Sequence, residues 1–114
     1  MHALLSAKIL ATANLSEVVR AVDVVPSVGL VFIPGWTAAS LGFQVSDRED
    51  GIFAPLRNKT GSIVEVTGIV TTTGAWYPLP VELNGAAFFK LWSQTSGSNV
   101  AQTVDRLCLV SFKG

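Results

Sequence analysis

A general base that works near neutral pH is most often histidine. This chain carries one, His2, beside an N-terminus of the kind that commonly frays. Its single cysteine, Cys108, stands in the apolar run Leu107, Cys108, Leu109, Val110. With no second cysteine there is no intrachain disulfide, so the expectation is a thiol packed as a small hydrophobe. The rival reading is a reactive thiol, because Arg106 would share its face in a strand and a neighbouring cation lowers a thiol's pKa. One histidine and one cysteine leave a Ser-His-Asp or Cys-His site without its parts, and they fall short of the three or four ligands that zinc takes.

Carboxylates offer little more. Asp47, Glu49 and Asp50 crowd into one stretch with Arg48 between them. Oxygen ligands of this kind suit a hard cation such as Ca²⁺, but the spacing is not that of an EF-hand loop, and Asp50-Gly51 is explained by turn chemistry. Glu65, Glu82 and Asp105 could in principle supply a carboxylate pair for glycoside hydrolysis, yet no spacing singles out two of them. No G-x-G-x-x-G or Walker sequence occurs. The expectation is a non-enzymatic chain with no catalytic residue, metal or cofactor.

Aromatic residues are the remaining candidates. Trp36, Trp76, Trp92 and Tyr77 could stack on a sugar, anchor a protein interface or fill a core. Trp92, between Leu91 and Ser93 in a strand-like run, reads as core. Trp36, Trp76 and Tyr77 are the interface candidates, with burial the alternative for Trp76 and Tyr77, which sit beside Pro78, Pro80 and a threonine loop.

The elements that must position these side chains are strands. Helical periodicity is hard to find, while β-branched and aromatic residues recur in short runs bounded by Gly, Pro, Asn, Asp and Ser. Runs at 7–13, 17–25 and 28–33 are followed by Pro34-Gly35 and an irregular link. Residues 40–46 place Leu41, Phe43 and Val45 on one face and Gly42, Gln44 and Ser46 on the other. The Asp50-Gly51 turn, whose glycine tolerates positive φ, then returns the chain as a hairpin through 52–56. Residues 63–70 are apolar on both faces and read as a central strand. Residues 75–79, flanked by prolines, read as an edge or strand end. Asn84-Gly85 signals a turn into 86–93, residues 94–99 form a polar loop, and 105–112 make the last strand. The predicted fold is a single all-β domain over 1–114, an antiparallel β-sandwich or jelly-roll-like barrel of seven or eight short strands. Residues 40–113 form its core, and 1–35 are N-terminal strands that either complete the sandwich or reach a neighbouring subunit.

The 114 residues are enough for one domain that buries about two-thirds of its unfolded surface. They are 49% hydrophobic and 14% charged, against roughly 25% charged for an average soluble domain. Part of the apolar excess therefore reads as interface, and the chain as an oligomer. Eight basic and eight acidic side chains cancel and are scattered, which leaves no footprint for nucleic acid or an anionic membrane. Ala11-Thr12-Ala13 imitates a leader cleavage site, but Lys8 interrupts the apolar stretch before it, so a mature N-terminus and synthesis in the cytoplasm are expected. No apolar run approaches the roughly 20 residues of a membrane span.

From 40 to 113 the order of signals resembles a small β-sandwich module of tailed-bacteriophage structural proteins. The features are Phe43-Gln44-Val45-Ser46, the Asp50-Gly51 turn, an aromatic and Pro-Leu within 53–56, and Leu79-Pro80. They continue with Phe89-Lys90-Leu91-Trp92-Ser93, a Ser-Gly loop, Gln102 and Asp105-Arg106. The resemblance implies a virion structural protein on the capsid surface, of the decoration or cement type. Such proteins cluster at local symmetry axes and glue capsomers together without catalysis. The expected partners are then the major capsid protein and further copies of the chain, in a homo-oligomer such as a trimer. A carbohydrate- or receptor-binding module of a phage tail or fibre is the alternative.

Overall fold

The computed structural model describes residues 2–21 and 28–113, which form two antiparallel sheets packed as a β-sandwich. The first sheet has four strands: β1 (His2–Ile9), β3 (Val28–Ile33), β7 (Ala75–Pro78) and β10 (Arg106–Lys113), in the order β1-β10-β3-β7. The second is built on β4 (Ser40–Ser46) and β8 (Phe88–Thr95), which pair along all seven residues of β4. Around them lie two-residue pieces: β2 (Val19–Arg20) and β9 (Ser98–Asn99) on β8, and β5 (Ala54–Pro55) and β6 (Glu65–Val66) on β4. Of the ten strands among the described residues four are minimal, and the remaining six carry the fold.

Alternation aims one set of side chains from each sheet into a common core. Ala7, Ile9, Val31, Ile33, Cys108 and Val110 come from the first sheet, and Leu41, Phe43, Phe89, Leu91 and Val19 from the second; all are at most 1% exposed. Phe89 sits at the junction, edge-on to Phe43 at 6.2 Å and to Phe112 of the opposite sheet at 6.4 Å. Trp36, Val64 and Leu83 close the core from the connections.

Several expectations are corrected by local hydrogen bonding. The first strand starts earlier and stops at Ile9, because Ala11 N–H is taken by the Asp105 carboxylate (2.8 Å) and Thr12 N–H by Gln102 O (2.7 Å), which turns the chain with Thr12 at φ 70°. Of the expected strand over 17–25 the described part contributes β2, and 22–25 lie outside the described residues. Residues 63–70 are not a central strand. The edge of β4 is divided between β5, opposite Gln44 and Val45, and β6, opposite Leu41 and Gly42, so neither pairs for long. Val64, Val66 and Ile69 are apolar because they cover the core from its rim.

The 47–51 turn is closed by Gly51 N–H to Arg48 O at 3.1 Å, with Gly51 outside the positive-φ region. Asn84-Gly85 ends a 3-10 turn, Val81–Gly85, that plugs Leu83 into the core. The polar loop over 94–99 is instead a tight hairpin. Ser96 (φ 51°) and Gly97 (φ 87°) form its two central residues, both in the left-handed region that favours a primed turn. The N-terminal strands complete the sandwich within their own chain, β1 against β10 and β3 against β10 and β7. Among the described residues no helix is long and apolar enough to cross a membrane.

Candidate adhesion face

In the four-stranded sheet, every second side chain that does not enter the core points outward. On β1 these are Leu4, Ser6 and Lys8, on β10 Leu107, Leu109 and Ser111, on β3 Leu30 and Phe32, and on β7 Trp76 and Pro78. Register sets them in rows across the sheet: Leu4, Ser111, Leu30, Pro78 in one and Ser6, Leu109, Phe32, Trp76 in the next, with Lys8 opposite Leu107 beyond. The outcome, among the described side chains, is a largely apolar surface interrupted by Ser6, Ser111 and Lys8. Leu4 and Leu107 are each 55% exposed, Trp76 47% and Leu30 41%. These four are nearly half of the nine large apolar side chains exposed among the described residues. Trp76 leans on Phe32, with ring centres 5.3 Å apart. A shallow groove of about 500 Å³, lined by Leu4, Leu30, Trp76 and Ser111, lies where the serine leaves room between larger neighbours. Among the described side chains of this face the one charge is Lys8, which is matched by Asp105 at 3.5 Å.

The outward face of the other sheet is different in kind. Arg20 pairs with Glu49 and lies 5.5 Å from the Phe88 ring, and Lys90 lies 4.7 Å from Phe53, so cations cover the aromatic rings there. Trp92 also points to this side, across from Gly42, where a Cβ would come within 2.8 Å of the indole. Its indole is buried under the β8–β9 hairpin and donates to Asn99 Oδ1 at 2.8 Å, and neighbouring Gln94 donates to Glu65 at 2.7 Å. Trp92 is thus buried as expected, but in a pocket separate from the main core.

Trp36 must be withdrawn from the interface candidates. It is 2% exposed inside the chain's own core, anchored by its backbone N–H to Thr71 O at 3.1 Å. Tyr77 turns inward, packs on the core and accepts from Val70 N–H at 2.9 Å. Trp76 and Tyr77 therefore face opposite sides of the sheet and form no joint stacking platform; of the three candidates only Trp76 is exposed.

Other candidate groups are held in structural roles. Gln102, fully buried, accepts from Thr37 N–H (2.9 Å) and Arg106 Nε (3.1 Å) and donates to Ser93 Oγ (2.8 Å), tying both sheets to the link between them. Nothing in its neighbourhood in sequence marked it for this role. Glu65 serves Gln94, Glu82 lies in the 3-10 turn, and Asp105 serves Ala11 and Lys8, so each of the three carboxylates belongs to a different element. The Ala11 N–H, with Lys8 behind it, holds the Asp105 carboxyl below its ordinary value. That contribution to stability is present above the ordinary carboxylate pKa and is lost as pH falls through the lowered one. Among the described residues no group of three or more His, Cys, Asp and Glu could hold a metal ion.

Burial pushes the Cys108 thiol up to about 12, against a weaker opposing pull from Arg106. The thiol stays protonated at neutral pH and is expected to react with a disulfide reagent only as the protein unfolds; rapid modification of the native state would contradict this. Between pH 9 and 12 an unfolded chain releases this proton and the folded one keeps it, so stability falls with rising pH, by on the order of 4 kcal/mol across the window. Denaturant titrations at several alkaline pH values check this: Cys108→Ala is expected to flatten the slope.

Fold and surface together define the class: an all-β antiparallel sandwich with one cation-covered face and one bare apolar face. Compared with known protein families, with curated proteins and with solved structures, the chain gave no match.

Proposed function

We propose that the chain is a non-enzymatic virion structural protein, a capsid decoration or cement protein that stabilises a phage head by binding the major capsid protein. The observation that supports this is the apolar outer face of the β1-β10-β3-β7 sheet. Water-exposed leucines and an indole in register across four strands are unfavourable on a protein that works alone, at about 25 cal/mol for each Å² left wet. They become favourable when the protein works within an assembly. The phage assignment within this class rests on the motifs between 40 and 113, and the cytoplasm of an infected cell would be its place of synthesis.

The test is cosedimentation with expanded empty capsids of tailed bacteriophages. Saturable binding that raises the temperature at which the capsids come apart is the expected result. A monomer that ignores capsids would end the proposal. Binding to a glycan, lost in Trp76→Ala, would replace it with the tail or fibre receptor-binding reading.

A further inference from the structure

We propose that the turn over 10–13 is an acid-released latch, held shut by the Asp105 carboxylate and opened when that carboxylate takes up a proton, while both sheets stay folded. The latch goes beyond the capsid reading and does not depend on it.

The turn follows β1 directly. It is closed by Ala13 N–H to Leu10 O at 3.0 Å, with Ala11 and Thr12 as its central residues. Thr12 has φ 70° and Ala11 stays out of the positive-φ region, which is the pattern of a type II turn. Such a turn favours glycine at its third position, because any other L-residue there brings Cβ against the backbone. Threonine, branched at Cβ, is among the residues least suited to it. The turn is therefore strained, and groups outside it must hold it. The other non-glycine residue at positive φ among the described residues, Ser96, tips a hairpin whose own strands pair with each other.

The clamp is the link that precedes β10. Gln102 O accepts from Thr12 N–H (2.7 Å), Gln102 N–H donates to Ala13 O (2.9 Å), and Asp105 Oδ1 accepts from Ala11 N–H (2.8 Å). Of the three, only the Asp105 bond is charge-assisted, so only it changes with a proton. Asp105 also meets Lys8 Nζ at 3.5 Å, and its charge thus ties the end of β1 to the start of β10 twice. The remaining charged groups nearby are engaged elsewhere. Glu17 Oε1 accepts from Lys8 N–H and Glu17 N–H donates to Lys8 O, both at 3.2 Å, while Arg106 turns its guanidinium to Gln102 and Thr37. The Asp105 side chain is 54% exposed, so a proton reaches it without unfolding.

The direction follows from what this carboxyl feels. The Ala11 N–H, more than Lys8, holds it below its ordinary value, so the ionised form favours the shut turn. The latch is shut above the ordinary carboxylate range and opens as pH falls through the lowered value. On opening, Thr12 relaxes to negative φ and Ala13, packed against the core, is loosened with it. β1 is the edge of its sheet and pairs there with β10, so the opening frays the strand that carries Leu4 and Lys8 of the apolar face.

Amide NMR of the intact chain, followed from neutral pH into acid, tests this. The Ala11 amide proton is expected to titrate with a midpoint below the ordinary Asp value. The protection of Ala11 and Thr12 against exchange is expected to fall by about tenfold, the worth of one residue strained in the left-handed region, while the β4 and β8 amides keep theirs. Thr12→Gly, which removes the strain and leaves Asp105 in place, is expected to keep both amides protected in acid. Asp105→Asn is expected to lower their protection at neutral pH and to abolish its pH dependence, and Glu17→Gln to leave both as in the parent. Undiminished protection in acid, a loss in step with the β4 and β8 amides, or the same opening in Thr12→Gly or Asp105→Asn as pH falls would overturn the latch.

Discussion

Phe89→Ala is expected to lower the unfolding free energy by about 3–5 kcal/mol, measured by denaturant titration at neutral pH. The ring is wholly buried and touches both layers: it stands edge-on to Phe43 on the neighbouring strand β4 and to Phe112 on β10 across the core. Truncation removes apolar area from the core and two aromatic pairs at once, and rings fixed on two different sheets cannot both collapse into the space. Against a total of about 5–15 kcal/mol for a domain, the variant should lose most of its margin. Phe89→Leu, which refills much of the volume, is expected to recover over half of the loss. Equal losses for alanine and leucine would mean that the ring's shape, rather than its volume, holds the sheets together.

Gln102→Ala is expected to cost on the order of 3 kcal/mol although it removes no core hydrophobe. A buried amide with partners at Thr37, Ser93 and Arg106 leaves polar groups stranded when it goes, and stranded groups cost more than the bonds gain. Gln102→Met separates the contributions, because methionine keeps the length and loses the polar atoms. It should be about as destabilising as alanine. If methionine were tolerated, the side chain would be acting as a space filler and the network as incidental.

These two residues also mark what could be read from the chain and what could not. β3 and β4 begin and end where the residue pattern places them, β3 because Pro34-Gly35 stops an apolar run and β4 because alternation bounded by a turn leaves one register that buries Leu41 and Phe43. The edge position of β7 followed from its prolines. The interior of 63–70 misled, since apolar residues on both sides signal burial without saying whether the cover is a strand or a rim. Gln102 was visible only as a short motif before the last strand, for its partners come from positions far apart in the chain. The exposed apolar face was half legible. An excess of apolar residues predicted an interface, but choosing Trp76 over Trp36 and Tyr77 needed the alternation of β7 and the path of the link after Gly35.

The three indoles occupy three different surroundings: Trp36 in the core, Trp92 beneath the hairpin, Trp76 on the open face. Intrinsic emission of the protein is therefore a sum of two shielded components and one hydrated component. A soluble quencher should reach only the hydrated one, and any event that covers the sheet should shift its spectrum to the blue without a label being attached.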